Sequence, residues 1–262
     1  MKVFVISLKN AAERRAAGSR QLDAAGVRFR FFDAAEGAES LNTCFTGIDR
    51  RLYRLNTLRE PLAAEIGCYA SHLGLWKKCV ELQESILVLE DDFHLEEGFA
   101  GALPTIHELA DQYGFVRLER FHRWRKRAKN HLAPATLQIV NRDEVQLHYV
   151  SDVPLCATAY ALNPEAARSL INASAKLIAP VDKFLQKKWI HGVPIFALSP
   201  TLVKVSALAS DSTIGTRQRK SRNPALMVSR IFYKWSGELQ RVRFDRKQLH
   251  RLRNSEGLEQ SV

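Results

Sequence analysis

Short apolar runs alternate with longer stretches of helical periodicity along most of the chain. Lys2 to Leu8 is brief, continuous and β-branched, which predicts a buried strand. Asn10 then offers a cap for a helix to about Ala25, ended by Gly26. Val27 to Phe32 predicts a second strand with Asp33 at its carboxyl end, and strand–helix–strand implies a parallel pair. Residues 34–62 predict loop and short helix. Ala63 to Gln83 predicts a long helix, because Ile66, Tyr69, Leu73, Trp76 and Val80 recur near helical spacing. Further strands are expected at Ser85–Leu89, Phe115–Leu118, Val145–Tyr149, Ala157–Leu162, Ile195–Leu198 and Leu202–Val205. Helices are expected at Glu96–Tyr113, from the Asn163-Pro164 cap to Ser174, and at Val181–His191. Ser221–Leu252 predicts an amphipathic helix pair. The alternation up to about residue 205 implies an α/β sandwich.

Charge adds a second feature. The chain carries a formal +11, and residues 216–262 hold twelve Lys/Arg against four acids. The rest is nearly balanced, so residues 1–215 predict a core domain and 216–262 a basic helical appendage. Such asymmetry suits an anionic partner. Cys44, Cys68, Cys79 and Cys156 form no C-x-x-C pair, which argues against a zinc finger and for reduced, mostly buried thiols. The first apolar run is too short for a signal segment, and no window is long and apolar enough to span a bilayer. The expected location is the cytoplasm, peripheral on the inner face of the cell membrane.

Two constellations carry chemistry. Ile86-Leu87-Val88-Leu89 ends in Glu90-Asp91-Asp92. In open α/β sheets ligands bind outside the carboxyl ends of strands. Alternation in an extended backbone places Glu90 and Asp92 on one side, where paired hard oxygens suit Mg2+ or Mn2+, and Asp91 on the other. An ordinary solvated turn is the competing explanation. The second constellation is Glu65-Ile66-Gly67-Cys68-Tyr69-Ala70-Ser71-His72, continuing to Trp76. On a helix Cys68, Ser71, His72 and Leu75 share one face. Gly67 and Gly74 weaken that helix, which implies close approach by another group. His72 is equally explained as a core histidine bonded to a carbonyl.

These residues resemble glycosyltransferase family 25, which includes bacterial lipooligosaccharide galactosyltransferases and collagen galactosyltransferases. Val5-Ile6-Ser7-Leu8 with Glu13-Arg14-Arg15 resembles its opening, and Phe31-Phe32-Asp33-Ala34 its next strand end. Glu65-x-Gly67-Cys68-x-x-Ser71-His72-x-x-x-Trp76 is similar to its most specific signature, and Leu89-Glu90-Asp91-Asp92 to its acidic motif. Ala157-Thr158-Ala159-Tyr160, Pro180-Val181-Asp182 and Ser212-Thr213-Ile214-Gly215 resemble later blocks. The chain departs from the pattern at Val205–Ala209, where the family carries a glutamine, and at Ala157, where it carries glycine.

The resemblance implies a nucleotide-diphospho-sugar transferase (GT-A type) Rossmann-like fold. It also implies an inverting reaction with a UDP-sugar donor, galactose above all, and a divalent cation. Under it, Glu90 and Asp92 hold the metal, and Asp91 meets the ribose or the donor sugar. Ser7, Leu8 and Arg15 cradle the nucleotide, Asp33 sits beside base or ribose, and Ser71 and His72 face the pocket. Asp182 is the candidate general base; an acid favoured at a helix N-terminus is the competing explanation. The expected acceptor is a lipid-linked glycan of the cell surface. Met227, Ile231, Trp235 and Leu239, at a spacing of four among basic residues, point to an anionic membrane surface or to packing on the core. A catalytically inactive glycan-binding or scaffold protein that retains the fold is the alternative. No nucleic-acid motif is present, and no nucleic-acid partner is expected.

Overall fold

The computed structural model describes residues 1–119, 136–142, 145–206 and 221–256. The basic loop at 120–131, the block at 212–215 and the domain boundary placed at 215 lie outside the described residues.

The expected α/β architecture is present. The amino-terminal part runs β1 (Lys2–Ser7), α1 (Ala12–Ala24), β2 (Phe29–Asp33), α2 (Gly37–Cys44), α3 (Arg50–Thr57), α4 (Ala63–Leu82), β3 (Ile86–Glu90), β4 (Phe93–Leu95) and α5 (Phe99–Tyr113). It continues with β5 (Phe115–Arg117), β6 (Thr136–Arg142), β7 (Val145–Val150), β8 (Ala159–Leu162), α6 (Pro164–Ala173), α7 (Val181–Leu185), α8 (Lys188–His191), β9 (Phe196–Ser199), β10 (Val203–Val205) and α9 (Pro224–Glu256). Eight strands form one mixed sheet in the order β2-β1-β3-β8-β5-β9-β7-β6. As the opening pattern implied, β1 pairs parallel with β2, and it also pairs parallel with β3. β4 and β10 form a small antiparallel pair.

Continuous apolar strands are continuous because both faces are covered. Phe4, Ile6, Ile86 and Val88 pack under α4, α6 and α7, with Trp76, Ala167 and Phe184 in the same cluster. Val3, Val5, Leu87 and Leu89 face the other way, onto Leu22 of α1 and Ile106 and Leu109 of α5. This double burial fixes the register of β1 and β3, and so fixes where their carboxyl ends come out.

Local signals were mostly honoured. Asn163 accepts from the Ala166 N–H at 2.9 Å, with Pro164 opening the helix. Gly26 takes φ +68° just past α1. Asn10 is not a cap: the position before α1 is Ala11, and no side chain caps that end. Residues 34–62 hold two helices rather than one, and the stretch 181–191 breaks into α7 and α8. Strands β4 and β6 were not anticipated. All four cysteines are free, Cys79 buried and the others half-buried.

The carboxyl-terminal segment is one helix of 33 residues, not a pair. It packs on α3 and α8. Its anchor is polar: Asp245 of α9 accepts from Lys188 Nζ at 2.6 Å, from Tyr149 Oη at 2.6 Å and from Arg241 at 2.9 Å. Lys188 also donates to the Val150 carbonyl at 2.6 Å. Burial pulls its pKa down to about 8, against the opposing pull of Asp245. Breaking such a pair from one side leaves a buried charge uncompensated. Asp245→Ala is expected to cost about 3 kcal/mol. It should lower the urea midpoint and expose residues 221–256 to protease; an unchanged midpoint and cleavage pattern would show that α9 is held by other contacts.

Candidate active site

Ser7 and Glu90 close the adjacent parallel strands β1 and β3, with Ile6 opposite Glu90 in the register. Both strands run out at the same edge, where the backbone turns away and polar side chains begin. There Asp91 accepts from Ser7 Oγ at 2.7 Å and from Arg14 at 3.0 Å. Arg15 points elsewhere. It donates to the carbonyls of Leu8 at 3.1 Å and Ser7 at 2.9 Å, and it pairs with Asp33. The Arg15 bond holds the Asp33 carboxyl below its ordinary range. Arg15 and Asp33 thus tie the ends of β1 and β2 together.

Helix α4 supplies the opposite wall. Glu65 fixes its start by accepting from the Leu62 N–H at 3.2 Å, Tyr53 Oη at 2.8 Å and Arg59 at 2.6 Å. The close approach implied by the two glycines is real. A Cβ on Gly67 would overlap the Ala35 carbonyl oxygen, and one on Gly74 would sit 2.8 Å from the Phe32 ring. Ser71 holds the same loop, accepting from the Ala35 N–H at 2.9 Å and donating to the Gly67 carbonyl at 2.8 Å.

His72 is fully buried and bonded at both ring nitrogens. Trp76 Nε1 can only donate, and it reaches Tyr160 Oη at 3.0 Å. His72 Nε2 lies 3.1 Å from Glu90 Oε1, and an ionised carboxylate can only accept, so the proton of a neutral ring sits on Nε2. Nδ1 then accepts from Tyr160 Oη, 2.7 Å away. Cys68 Sγ at 3.7 Å and Thr158 Oγ1 at 3.4 Å donate to Glu90 as well. Burial alone would raise the Glu90 pKa; the His72, Cys68 and Thr158 bonds outweigh it, and the carboxyl is held below its ordinary value. His72 is therefore a core histidine, but its partner is a site carboxylate rather than a carbonyl.

Asp92 has the opposite environment. It lies just past β3, and its Oδ1 is buried with no hydrogen-bond partner. Burial, and then the charges of Glu90 and Asp91, push its pKa up to about 6, against Arg14. The three carboxylates border a cavity of about 470 Å3. Of the sequence-predicted residues, the cavity brings together Ser7, Leu8, Ser71, Glu90, Asp91 and Asp92. Arg15, Asp33 and His72 stand behind this wall, in the contacts given above. Asp182 does not line the cavity. It is the second residue of α7, its Oδ1 accepting from the Lys183 N–H at 2.7 Å. Burial raises its pKa, Glu90 and Glu65 adding to the effect, and its charge reaches Cys68.

Asn10, Arg14, Glu36 and Cys68 also line the cavity without having been singled out for it. Arg14 had a signal: it stands in the Glu13-Arg14-Arg15 run that resembles the family opening.

Two donor sets suit a metal. Cys68, His72 and Glu90 bring their ligand atoms within 4.8 Å of one another. Their protons are committed to Glu90, however, and burial with the nearby carboxylates pushes the Cys68 thiol well up. The acidic cluster is the better fit for a hard divalent cation, because a buried carboxylate oxygen without a donor is what such a cation would satisfy.

Residues 1–185 match the family described as Glycosyltransferase family 25 (LPS biosynthesis protein). The chain belongs to glycosyltransferase family 25. Among its relatives is a protein named Lacto-N-neotetraose biosynthesis glycosyltransferase LgtE from Neisseria meningitidis serogroup B, 27% identical over 85% of this chain and 82% of LgtE. Procollagen galactosyltransferase 2 of Mus musculus is 28% identical over 70% of this chain and 29% of its own length. A Glycosyltransferase 25 family member of Drosophila melanogaster is 28% identical over 77% of this chain and 35% of its own. The chain spans about a third of the length of these two animal relatives.

An acid with a higher pKa folded than unfolded binds more protons in the folded chain, so it weakens folding as pH rises through that interval. For Asp92 the interval runs from the ordinary 3.8 to about 6. Asp92→Asn should therefore stabilise the cation-free protein by about 1–2 kcal/mol at pH 7 and by little at pH 4. Urea melts of both proteins across this range read the difference; one that does not grow with pH would contradict the assignment.

Proposed function

We propose that the chain is an inverting glycosyltransferase that moves galactose from UDP-galactose to a lipopolysaccharide, lipooligosaccharide or other cell-surface glycan, with Mn2+ or Mg2+. The buried, partnerless oxygen of Asp92, a residue lining the cavity at the ends of β1 and β3, carries this reading. Family membership and the relatives named for galactosyl transfer support the reaction class. The mixed α/β sheet with its cavity at strand ends is consistent with a GT-A type fold.

In this reading Asp92, with Glu90, holds the cation. When bound, the cation offsets the charge that develops on the departing nucleoside diphosphate. The chain's own residues do the rest. The Trp76–Tyr160–His72 chain keeps Glu90 ionised and fixed in direction. Ser7 and Arg14 fix Asp91 toward the ribose or donor sugar. Ser7 and Leu8 form the nucleotide cradle, and Arg15 and Asp33 hold it by locking the strand ends beside the base. Ser71 keeps the loop at 34–37 closed against α4. Asp182, which stands outside the cavity lining but whose charge reaches Cys68 of its wall, takes the proton from an acceptor hydroxyl entering on that side; burial raises its pKa toward the range where a general base works. A lipid-linked acceptor places the protein beside an anionic bilayer.

Transfer from UDP-galactose is expected to fall at least a hundredfold with EDTA and with Asp92→Asn. Asp182→Ala should keep UDP binding and lose transfer by a similar factor. Full transfer in EDTA would end the metal reading, and full transfer by the Asp182 variant would end its role as base. Thermal stabilisation by a panel of nucleotide sugars with Mn2+ identifies the donor; a preference for another sugar would correct the galactose assignment.

A further inference from the structure

A docked helix normally buries its apolar stripe and turns its charges to water. Helix α9 does the reverse over its first five turns. The face against α3 and α8 presents Arg230, Tyr233, Gly237 and Arg241. Tyr233 Oη accepts from Asn56 Nδ2 at 3.2 Å, Gly237 rests on the Trp189 ring, and Asp245 is locked on Lys188. The opposite face carries Val228, Ile231, Phe232, Trp235, Leu239 and Val242, all exposed. Ile231, Phe232 and Trp235 are 66%, 67% and 67% accessible. Val228, Ile231, Trp235, Leu239 and Val242 fall three or four residues apart, with Phe232 beside them, so they form one stripe along the helix. A contiguous apolar stripe of this size on a surface marks an interaction site.

The charge around the stripe identifies the partner. Arg243 lies at its edge, and Arg246, Lys247 and Arg253 continue beyond its carboxyl end, all exposed. A second copy of the chain would bring these cations against their equivalents. An anionic lipid surface would accept both the apolar side chains and the cations. No described helix is long and apolar enough to cross a membrane. A helix of 33 residues is about 50 Å long, enough to lie along a bilayer surface.

We propose that α9 is a surface-lying membrane anchor that inserts Ile231, Phe232 and Trp235 into an anionic bilayer while its polar face stays bound to the catalytic domain. This deepens the reading of a lipid-linked acceptor but does not depend on the transfer chemistry. Of the two alternatives drawn from the sequence it keeps the anionic membrane surface for the stripe, and it adds that the opposite, polar face is what packs on the core. Because the polar contacts are made in the folded protein, the anchor and the catalytic domain meet the membrane as one body.

The test is vesicle co-sedimentation of the full chain, with phosphatidylcholine alone and with phosphatidylcholine containing phosphatidylglycerol. The wild-type protein should bind the anionic vesicles at least tenfold more tightly than the neutral ones. The triple variant Ile231→Ser, Phe232→Ser, Trp235→Gln should lose at least tenfold of that binding. Its melting temperature should be unchanged, because the three side chains face outward. A charge variant, Arg246→Gln with Lys247→Gln, should lose the preference for anionic lipid and keep the residual binding. Equal binding by wild type and triple variant would overturn the proposal. So would a wild-type dimer in light scattering that becomes monomeric in the triple variant, because the stripe would then be a subunit interface. Transfer to a water-soluble glycan should survive the triple substitution, which separates failure of the anchor from failure of the enzymatic reading.

Discussion

Glu90 is a half-buried carboxylate at the end of an apolar strand, and the site depends on its staying ionised there. An isolated buried carboxylate would take up a proton. The line of hydrogen bonds from Trp76 through Tyr160 and His72 prevents this by delivering an N–H to Glu90, with Cys68 and Thr158 adding two weaker donors. An ionised Glu90 can only accept, so His72 turns an N–H to it, and with the ring neutral Tyr160 donates to the other ring nitrogen while accepting from Trp76. Once Glu90 holds its charge, its neighbours feel it. Asp91 is compensated by Ser7 and Arg14, whereas Asp92 is left with a buried oxygen and a pKa pushed up to about 6. Such a contrast, one carboxylate left unsatisfied beside two that are compensated, is what the proposed cation would relieve.

The sheet makes this arrangement possible. Val88 and Leu89 are buried on opposite faces of the same strand, under α4 and α5 respectively. A slide by one residue would swap the two sets between two differently packed layers. Its carboxyl end is therefore fixed relative to β1 on one side and β8 on the other. The family signature on α4 serves the same end. Gly67 and Ser71 bring the loop after β2 onto the helix, Glu65 starts the helix at the right place, and His72 and Trp76 reach the site from within it.

Much of this was legible in the sequence. The apolar runs gave β1, β3 and α4 nearly to the residue, because burial on both faces leaves an unbroken signal. Ser7, Ser71 and the three acids, which the family resemblance had put in one pocket, border one cavity. The direction of the side chains was less legible. Alternation in an ideal strand pairs Glu90 with Asp92, but β3 ends at Glu90, and Asp92 already lies in a turn where alternation does not apply. Arg14 and Arg15 are adjacent in sequence, and only the structure separates them: one meets Asp91, the other the strand ends. Helix α9 shows the same limit from the other side. Its apolar stripe was plain, but a stripe does not state which way it faces. That depended on Asp245, an acid in a basic segment whose partner lies far away, on α8.

The central claim is that the acidic cluster, with Glu90 held ionised behind it, is a divalent-cation site. Electron paramagnetic resonance of Mn2+, titrated in the presence of UDP, measures the bound ion without relying on turnover. One ion per chain is predicted for the wild-type protein, weakened by at least tenfold in Asp92→Asn and also, through the loosened Glu90, in Tyr160→Phe. Equal affinity in all three proteins would contradict the account.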